Sequence, residues 1–591
     1  MRVSLRRAST EAIAAFILTF AFLLALAPSA PFTRELGVCE SGAVRDVIAG
    51  NIILPHFLPG PMVHVPPLYW WTAALDVRAF GWTEIALRMP SMIAAAFTCA
   101  IVFMWASIAI NRRTAFWSAM SLLTCHFFLD AARQPRMDSM LALFVTAAAI
   151  AFERALRPSR DDSSAPIDLR SRHVGLALAA IAMGLGILTK GILGILLPGL
   201  VAGLYLVVRR RIRDLFRIDL IFTFFVALAI GLSWYFAAYE VGGQKFLQWQ
   251  LTMNLWSRFV PAEAGGAGYC VHPFWYFTPH TIAGFIPWSA YLPAVAIYAW
   301  RRRGRKLPEA MVFTLCWFAA IFLFFSTSRG KCLIYILPAF PPLAVLTGIV
   351  IDAAICSRRE SEISAADSTV GANQAPEARD RAFAIAFAVA TAVVTVAAIA
   401  IALAALAIVI FSLPRGLSPQ LHPTDRRFLE LFTSLAASRS PALFVLIAAC
   451  SASGVAGIIG LRRRDPQLQS VSVLIVAVAG SIFWFGVLNP ALAERETLRD
   501  FAREVARTVP SGNEVAHLGL SDCDLNFYSP QPLTPIYRLR CDESSSSPDF
   551  VVARKVDFDT TRVANRACFK PILESPPVDS NGSRLLLQRI P

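Results

Sequence analysis

Ala382–Ser412 reads AFAIAFAVATAVVTVAAIAIALAALAIVIFS, thirty-one residues without a single charge. A helix of about 20 apolar residues crosses a hydrocarbon core of about 30 Å, so this stretch is long enough to span a membrane. Backbone amides in lipid must bond within their own segment, which makes a helix the only reading for such a block. Twelve further apolar blocks of comparable kind lie along the chain, at 11–29, 87–110, 114–131, 136–155, 174–189, 190–208, 217–240, 276–299, 309–327, 332–353, 442–461 and 470–489. Of 591 residues, 56% are hydrophobic and 16% charged, against roughly 25% charged in an average soluble domain. Short alternating strands, the mark of a membrane barrel, are absent from the pattern. The expectation is an all-α polytopic membrane protein with about thirteen transmembrane helices.

The formal net charge is +15. Nucleic-acid binding does not follow, because the basic residues stand in short runs between apolar blocks and serve as orientation signals. With Arg2, Arg6 and Arg7 in the cytoplasm, the alternate loops carry Arg112–Arg113, the segment 153–173, Arg209–Arg217, Arg301–Lys306, Arg358–Arg359 and Arg462–Arg464. Nearly every basic run then falls on one side, and an odd number of spans sends the C-terminus outward. Three outer segments are long: 30–86, 241–275 and 413–441. A polar stretch around 357–381 reads as a cytoplasmic linker.

From about 491 the composition changes. Residues 1–490 form the membrane part, and 491–591 a small α/β extracytoplasmic domain. Leu498–Val509 has helical periodicity, while Glu514–Leu518 and Phe550–Ala553 look like strands. Eleven cysteines are present without a CxxC pair. Five of them, Cys39, Cys270, Cys523, Cys541 and Cys568, lie in outer segments where disulfides form, and the pairing stays open.

Ionisable groups on the outer side carry the chemistry. Glu40 stands just before a short predicted helix over 43–50, with the aromatic run Leu68-Tyr69-Trp70-Trp71 beyond it. Arg133-Gln134-Pro135-Arg136-Met137-Asp138 sets a carboxylate between two arginines at the outer end of a span, a place where a phosphate and a reacting hydroxyl can meet. Lys190, between two apolar blocks, is costly in lipid unless it faces protein, water or a ligand. Arg329 and Lys331 put two cations outside, against the charge trend, and an outward cationic pair fits a lipid phosphate. The second outer segment adds Arg258 and His272.

These motifs, in this order, resemble the GT-C membrane glycosyltransferases, in the branch of the 4-amino-4-deoxy-L-arabinose lipid A transferases and the protein mannosyltransferases. Gly50-Asn51-Ile52-Ile53-Leu54-Pro55-His56 is similar to the family's Gly-Asp-Trp-x-x-Pro-His, and Val65-Pro66-Pro67-Leu68-Tyr69-Trp70 to its Lys-Pro-Pro-Leu-x-Tyr-Trp. Phe80 to Ser91, Arg136-Met137-Asp138, Leu188-Thr189-Lys190-Gly191, Pro287-Trp288 and Ser326 to Pro338 fit as well. There are two departures. The first-loop acid is Glu40, closer to Gly50 than in the family, with Glu35 as the alternative. The family's Glu-Lys before Pro-Pro is His64-Val65 here, which counts against aminoarabinose transfer to lipid A.

What the resemblance implies is an inverting glycosyltransferase that moves a sugar from a polyprenyl-phosphate donor to a lipid, glycan or protein acceptor on the outer face of the bacterial inner membrane. Glu40 and Asp138 are then the candidate catalytic carboxylates, and Arg136, Lys190, Arg329, Lys331 and Tyr335 the candidate donor-phosphate ligands. His56, Tyr69, Arg258 and His272 line the substrate loops. The family's glutamate before Pro-Pro is associated with a metal, so a divalent metal ion enters as a cofactor expectation, with His64 as its candidate ligand. The rival reading is a transporter or flippase of a lipid-linked sugar, against which no internal repeat relates two halves of the chain.

Overall fold

The computed structural model describes residues 2–27, 30–33, 36–56, 65–157, 169–250, 271–302, 307–328, 330–366, 378–411, 430–431, 433–435, 437–438, 440–519, 522–536, 538–539, 548–561, 566–577 and 582–590. The membrane part is built from helices α1 (Arg2–Leu26), α2 (Ser41–Ala49), α3 (Leu68–Phe80), α4 (Glu84–Ala109), α5 (Arg112–Leu123), α6 (His126–Arg133), α7 (Asp138–Leu156), α8 (Leu169–Lys190), α9 (Leu193–Val208) and α10 (Ile218–Trp249). After these come α11 (Phe277–Gly284), α12 (Leu292–Arg301), α13 (Glu309–Thr327), α14 (Phe340–Ala366), α15 (Ala378–Phe411), α16 (Pro441–Arg462) and α17 (Pro466–Phe483).

Among the described residues, ten helices are long and apolar enough to cross a membrane, or eleven if the bent pair Phe277–Gly284 and Trp288–Arg301 is one span. The protein is therefore a multi-pass membrane protein. Thirteen spans are expected from the sequence, and the difference lies in three places. The pair just named bends by 113°. The block 114–131 is divided at Thr124–Cys125 between α5 and α6, and 190–208 yields a helix of only 16 residues, α9. Helix α10 also runs nine residues into the expected outer segment 241–275, with a break at Gly243 (φ 58°) among them. Helix α14 continues to Ala366, into the stretch expected as a linker.

The helices sort their side chains as lipid demands. On α15, Val389, Val393 and Val396 are exposed while Ala390, Val394 and Ala398 are buried, together with Thr391 and Thr395. Apolar residues thus cover the outside of the bundle as well as its core, which a soluble helix does not do. Polar ends are fixed by caps. Thr83 accepts from the Ala86 N–H at the start of α4, and Asn111 from the Thr114 N–H at the start of α5.

Small residues set the closest helix contact. Gly191 (φ 64°) reverses the chain after α8, and a Cβ on Gly194 would lie 2.0 Å from the carbonyl carbon of Gly186. Only glycine at 194 lets α9 fold straight back on α8. Lys190 is left at the tip of that hairpin.

The C-terminal part begins with α18 (Asn489–Glu496) and α19 (Arg499–Thr508), then alternates β1 (Val515–Leu518), α20 (Cys523–Tyr528), β2 (Thr534–Ile536), β3 (Phe550–Arg554), α21 (Lys555–Thr560), β4 (Phe569–Glu574) and β5 (Arg584–Arg589). The five strands make one sheet in the order β2-β1-β3-β5-β4. β1 is parallel to β2 and β3, while β5 is antiparallel to β3 and β4. Leu498, Phe501, Val505, Leu525 and Val552 pack the helical face of this sheet.

The sheet part is seated on the first outer segment through α20. Trp82 stacks on Phe527 (centroids 5.3 Å apart) and its indole N–H donates to the Phe527 carbonyl (3.0 Å). Arg45 lies 4.6 Å over the Trp82 ring and donates to the carbonyls of Asn526, Phe527, Ser529 and Pro530. The Tyr528 hydroxyl donates to Glu84 (3.0 Å) and accepts from the Phe32 N–H (2.7 Å). A disulfide, Cys39–Cys523, ties the two parts covalently across 484 residues of sequence. Cys568 is also disulfide-bonded.

Candidate active site

Three separate elements bring their ends together beneath that seat. A short 3-10 turn, Leu36–Glu40, carries Glu40. The loop between α6 and α7 carries Arg136, and Asp138 opens α7. The α8–α9 hairpin brings Lys190. Asp138 is 4% exposed and both its carboxylate oxygens are engaged, one by Lys190 Nζ and the other by Arg136 Nε at 3.1 Å. Lys190 Nζ also stands 4.9 Å over the ring of Tyr335. Burial makes each of these charges dependent on the others, because an ammonium or carboxylate withdrawn from water is tolerated only when paired.

Glu40 faces the same cluster from above. It is 9% exposed, and its Oε2 accepts from Trp70 Nε1 at 3.3 Å. Burial pushes its carboxyl up to about 8 from the ordinary 4.5, and the nearby Asp138 pushes the same way. Arg136, Lys190 and the Trp70 N–H pull it back only in part. At neutral pH the site thus holds one carboxylate clamped by two cations and one carboxylic acid poised to lose its proton.

The turn that carries Glu40 sits directly on the Arg136 loop. A Cβ on Gly37 would fall 2.4 Å from Arg136 Cγ and 3.0 Å from the Pro135 carbonyl oxygen. Ser91, near the start of α4, donates to the Arg136 carbonyl (2.8 Å) and fixes the loop from below. Gly37→Ala is expected to push Arg136 off Asp138, lower stability by about 1–3 kcal/mol and reduce turnover. A thermal melt beside a transfer assay measures both effects.

The other residues singled out from the sequence fall in different places. Tyr69 is buried and donates to the Leu87 carbonyl (2.8 Å), so it supports the loop rather than facing a ligand. His56 is bound to Asp46 through both its backbone N–H (2.8 Å) and Nδ1 (2.9 Å). Trp71 and Trp234 hold the neighbouring carbonyls of Ile52 and Ile53, each at 2.8 Å. Lys331, 3% exposed, is held by the carbonyls of Ser328 and of His272 (3.0 Å). The His272 ring stacks on Tyr276 at 4.0 Å. Glu35, His64, Arg258 and Arg329 lie outside the described residues. Arg133, expected to flank Asp138 with Arg136, instead donates to the carbonyls of Leu26 (2.9 Å) and Phe485 (3.2 Å) and stacks on Phe485.

The sequence reading missed Gly37, Trp70 as the partner of Glu40, Asp46 as the partner of His56, and the Cys39–Cys523 bond. The aromatic run pointed to Trp70, and the place of Cys39 and Cys523 among the five cysteines of outer segments was the signal for the bond. Among the described residues no group of three or more His, Cys, Asp or Glu side chains is placed to hold a metal ion. His272 is engaged by stacking and by its carbonyl, and no step below is routed through a metal.

With this geometry in place, similarity to known proteins is informative. Residues 64–236 match the family model described as dolichyl-phosphate-mannose-protein mannosyltransferase. Asp138, Arg136 and Lys190 fall inside that match, and Glu40 and Tyr335 outside it. The chain is 29% identical over 301 residues to an undecaprenyl phosphate-alpha-4-amino-4-deoxy-L-arabinose arabinosyl transferase of Proteus mirabilis, covering 51% of this chain and 52% of that one. It is 31% identical over 305 residues to the enzyme of that name from Pseudomonas aeruginosa, covering 51% and 52%. The chain spans about half the length of the curated relatives it matches. Its fold agrees over nearly the whole length with ArnT from Cupriavidus metallidurans bound to undecaprenyl phosphate, with a TM-score of 0.70, 19% identity, and coverage of 98% and 97%. At that identity the likeness is one of fold.

The membrane part and the sheet part that sits on its loop 30–86 thus share the fold of ArnT from Cupriavidus metallidurans. Over residues 64–236 the chain is similar to the protein mannosyltransferase family, and over about half its length to the aminoarabinose transferases.

Proposed function

We propose that the chain is an inverting glycosyltransferase that moves a sugar from a polyprenyl-phosphate donor to an acceptor on the outer face of the bacterial inner membrane. The observation that carries this is the meeting of Glu40, Arg136, Asp138, Lys190 and Tyr335 at the outer end of α7 and α8. The reaction needs a base, a charge-stabilising pair and a place for a phosphate. In this reading the acceptor hydroxyl attacks the anomeric carbon from the face opposite the phosphate. The bond from that carbon to the phosphate oxygen breaks, its electrons stay on the phosphate, and the hydroxyl proton passes to Glu40 in its ionised form. Arg136 and Lys190, already positioned by Asp138, meet the charge that develops on the leaving phosphate. Lys331 is held by the carbonyls of Ser328 and His272, just before the turn that carries Tyr335.

The acceptor is a hydroxyl on a lipid, glycan or protein, or a phosphate, which is already ionised and makes a strong base unnecessary. Val65 stands where the lipid A enzymes carry lysine before Pro-Pro, and this favours a sugar other than aminoarabinose. In this reading the N-terminus is cytoplasmic and the sheet part lies outside, which the one-sided distribution of the basic runs supports.

The test is transfer of radiolabelled sugar from a panel of polyprenyl-phosphate donors to membrane extract by the purified protein, with Asp138→Asn as the control. Label that appears with wild type and vanishes with the variant supports the reading, and the labelled product names the acceptor. Donor flipping in proteoliposomes with no transfer from any donor overturns it in favour of the transporter.

A further inference from the structure

The first candidate for a second site is the groove of about 800 Å³ where the sheet part meets the first outer segment, rich in arginine and aromatic rings. Its cations are already engaged: Arg45 by four carbonyls, Arg499 by Glu494 and Arg503 by Asp500. It is a seat between two parts of the chain. What the seat holds in place is the more informative question.

Cys39 is the neighbour of Glu40, and its disulfide partner Cys523 is the first residue of α20. Both residues that flank Cys523 are anchored inside the sheet part. Asp522 receives a bidentate pair of hydrogen bonds from Arg584 on β5 (2.6 and 3.1 Å), and Arg584 is wholly buried. His517 on β1 approaches the same carboxylate at 3.5 Å. Asp524, also fully buried, accepts from the Leu498 N–H (3.3 Å). A rigid path therefore runs from β5 through Arg584, Asp522, Cys523 and Cys39 to Glu40. The turn Leu36–Glu40 is only five residues long; Val38 is buried, Gly37 abuts the Arg136 loop, and the bond at Cys39 adds the covalent link from this turn to the sheet part.

We propose that Cys523 is a positioning residue for Glu40: the C-terminal sheet, through the Arg584–Asp522 pair and the Cys39–Cys523 bond, fixes where Glu40 stands over Asp138. This rests on the transferase reading and assigns the C-terminal part a role in it. The groups facing Glu40 are Trp70 and Tyr69 from α3, Arg136 and Asp138 from the start of α7, and Lys190 from α8. When the bond is opened, the turn is freed, water reaches Glu40, and its carboxyl moves from about 8 back toward the ordinary range.

The experiment measures turnover, donor KM and the pH profile of transfer for wild type and for the double variant Cys39→Ala with Cys523→Ala. Loss of positioning lowers kcat by about 10- to 100-fold, leaves KM within about 3-fold, and moves the pH midpoint of the rising limb downward. A chain made without the bond has another way to fail, which is misfolding. A second arm therefore opens the bond in folded wild type with dithiothreitol, whose two thiols supply two electrons and two protons and close to their own disulfide. The double variant given the same treatment reads the contribution of the Cys568 bond. Reduced wild type that matches the variant in kcat and midpoint, and recovers on reoxidation, supports the role. Lowered kcat with an unmoved midpoint indicates loss of folded enzyme and overturns it, as does unchanged kcat. Absence of transfer by wild type overturns the transferase reading and this role with it; transfer by wild type with an unaffected variant overturns this role alone.

Discussion

Asp138→Asn is expected to lower transfer by about 10²- to 10³-fold, the scale seen when a positioned charge-stabilising contact is removed, while the protein still reaches the membrane folded. The reason lies in what the carboxylate holds. Lys190 and Arg136 meet on its two oxygens, so the carboxylate is the group that draws both cations together. Asparagine keeps one oxygen for Lys190 and so preserves part of the packing. It removes the charge that fixes both cations where the leaving phosphate needs them. Asp138→Ala separates the two effects, because it leaves Lys190 buried without its carboxylate. Stranding a buried charge costs about 3–5 kcal/mol, so the alanine variant should show a lower melting temperature and the asparagine variant much less of a shift. If Asp138→Asn transfers sugar at the wild-type rate, the cluster is a structural ion pair and the assignment fails.

Glu40→Gln carries the second large effect. Against a hydroxyl acceptor, the loss of a general base is worth about 10²- to 10⁴-fold. The wild type should gain activity as pH rises through about 8, where the buried Glu40 carboxyl gives up its proton. The glutamine variant should show a low rate without that limb. Stability runs the other way. The folded protein keeps a proton on Glu40 that the unfolded chain releases near 4.5, so the contribution is fully present below that pH and is lost as pH rises toward 8. Glu40→Gln removes this loss, and its melting temperature should depend less on pH across that window. Thermal melts at pH 5 and pH 9 read the difference. A phosphate acceptor gives a distinct outcome, with Glu40→Gln remaining active.

Much of this molecule was legible because lipid imposes a strong pattern. An uninterrupted apolar block such as 382–412 has one stable conformation in a bilayer, and the helix α15 lies there. Asp138 and Lys190 were legible for the same reason, since an ionisable side chain among apolar neighbours needs a partner, and each proved to be the other's. Other features depend on geometry that no local pattern encodes. Arg133 and Arg136 are three residues apart and look alike in the sequence, yet a turn at Gln134–Pro135 sends one to backbone carbonyls and the other to Asp138. Gly37 gave no signal, because its importance comes from a close approach to Pro135 and Arg136. His56 matched a family motif and proved to be held by Asp46, a residue that no motif marked. The seating of α20 on Arg45 and Trp82 joins segments more than 400 residues apart, and its contacts are to backbone carbonyls, which any sequence presents.

The bond between Cys39 and Cys523 also constrains topology by parity. Two cysteines joined in a disulfide share one side of the membrane, so the chain between them must cross an even number of times. Of the ten helices among the described residues that qualify as spans on length and composition, one precedes Cys39 and nine follow it. Nine is odd. Among the described residues, an even number is reached when an odd number of the shorter or broken pieces, the bent pair at Phe277–Arg301, the 16-residue α9 and the divided α5–α6 segment, also carries the chain across. A single covalent bond at the edge of the site thus tests the path of nearly the whole chain.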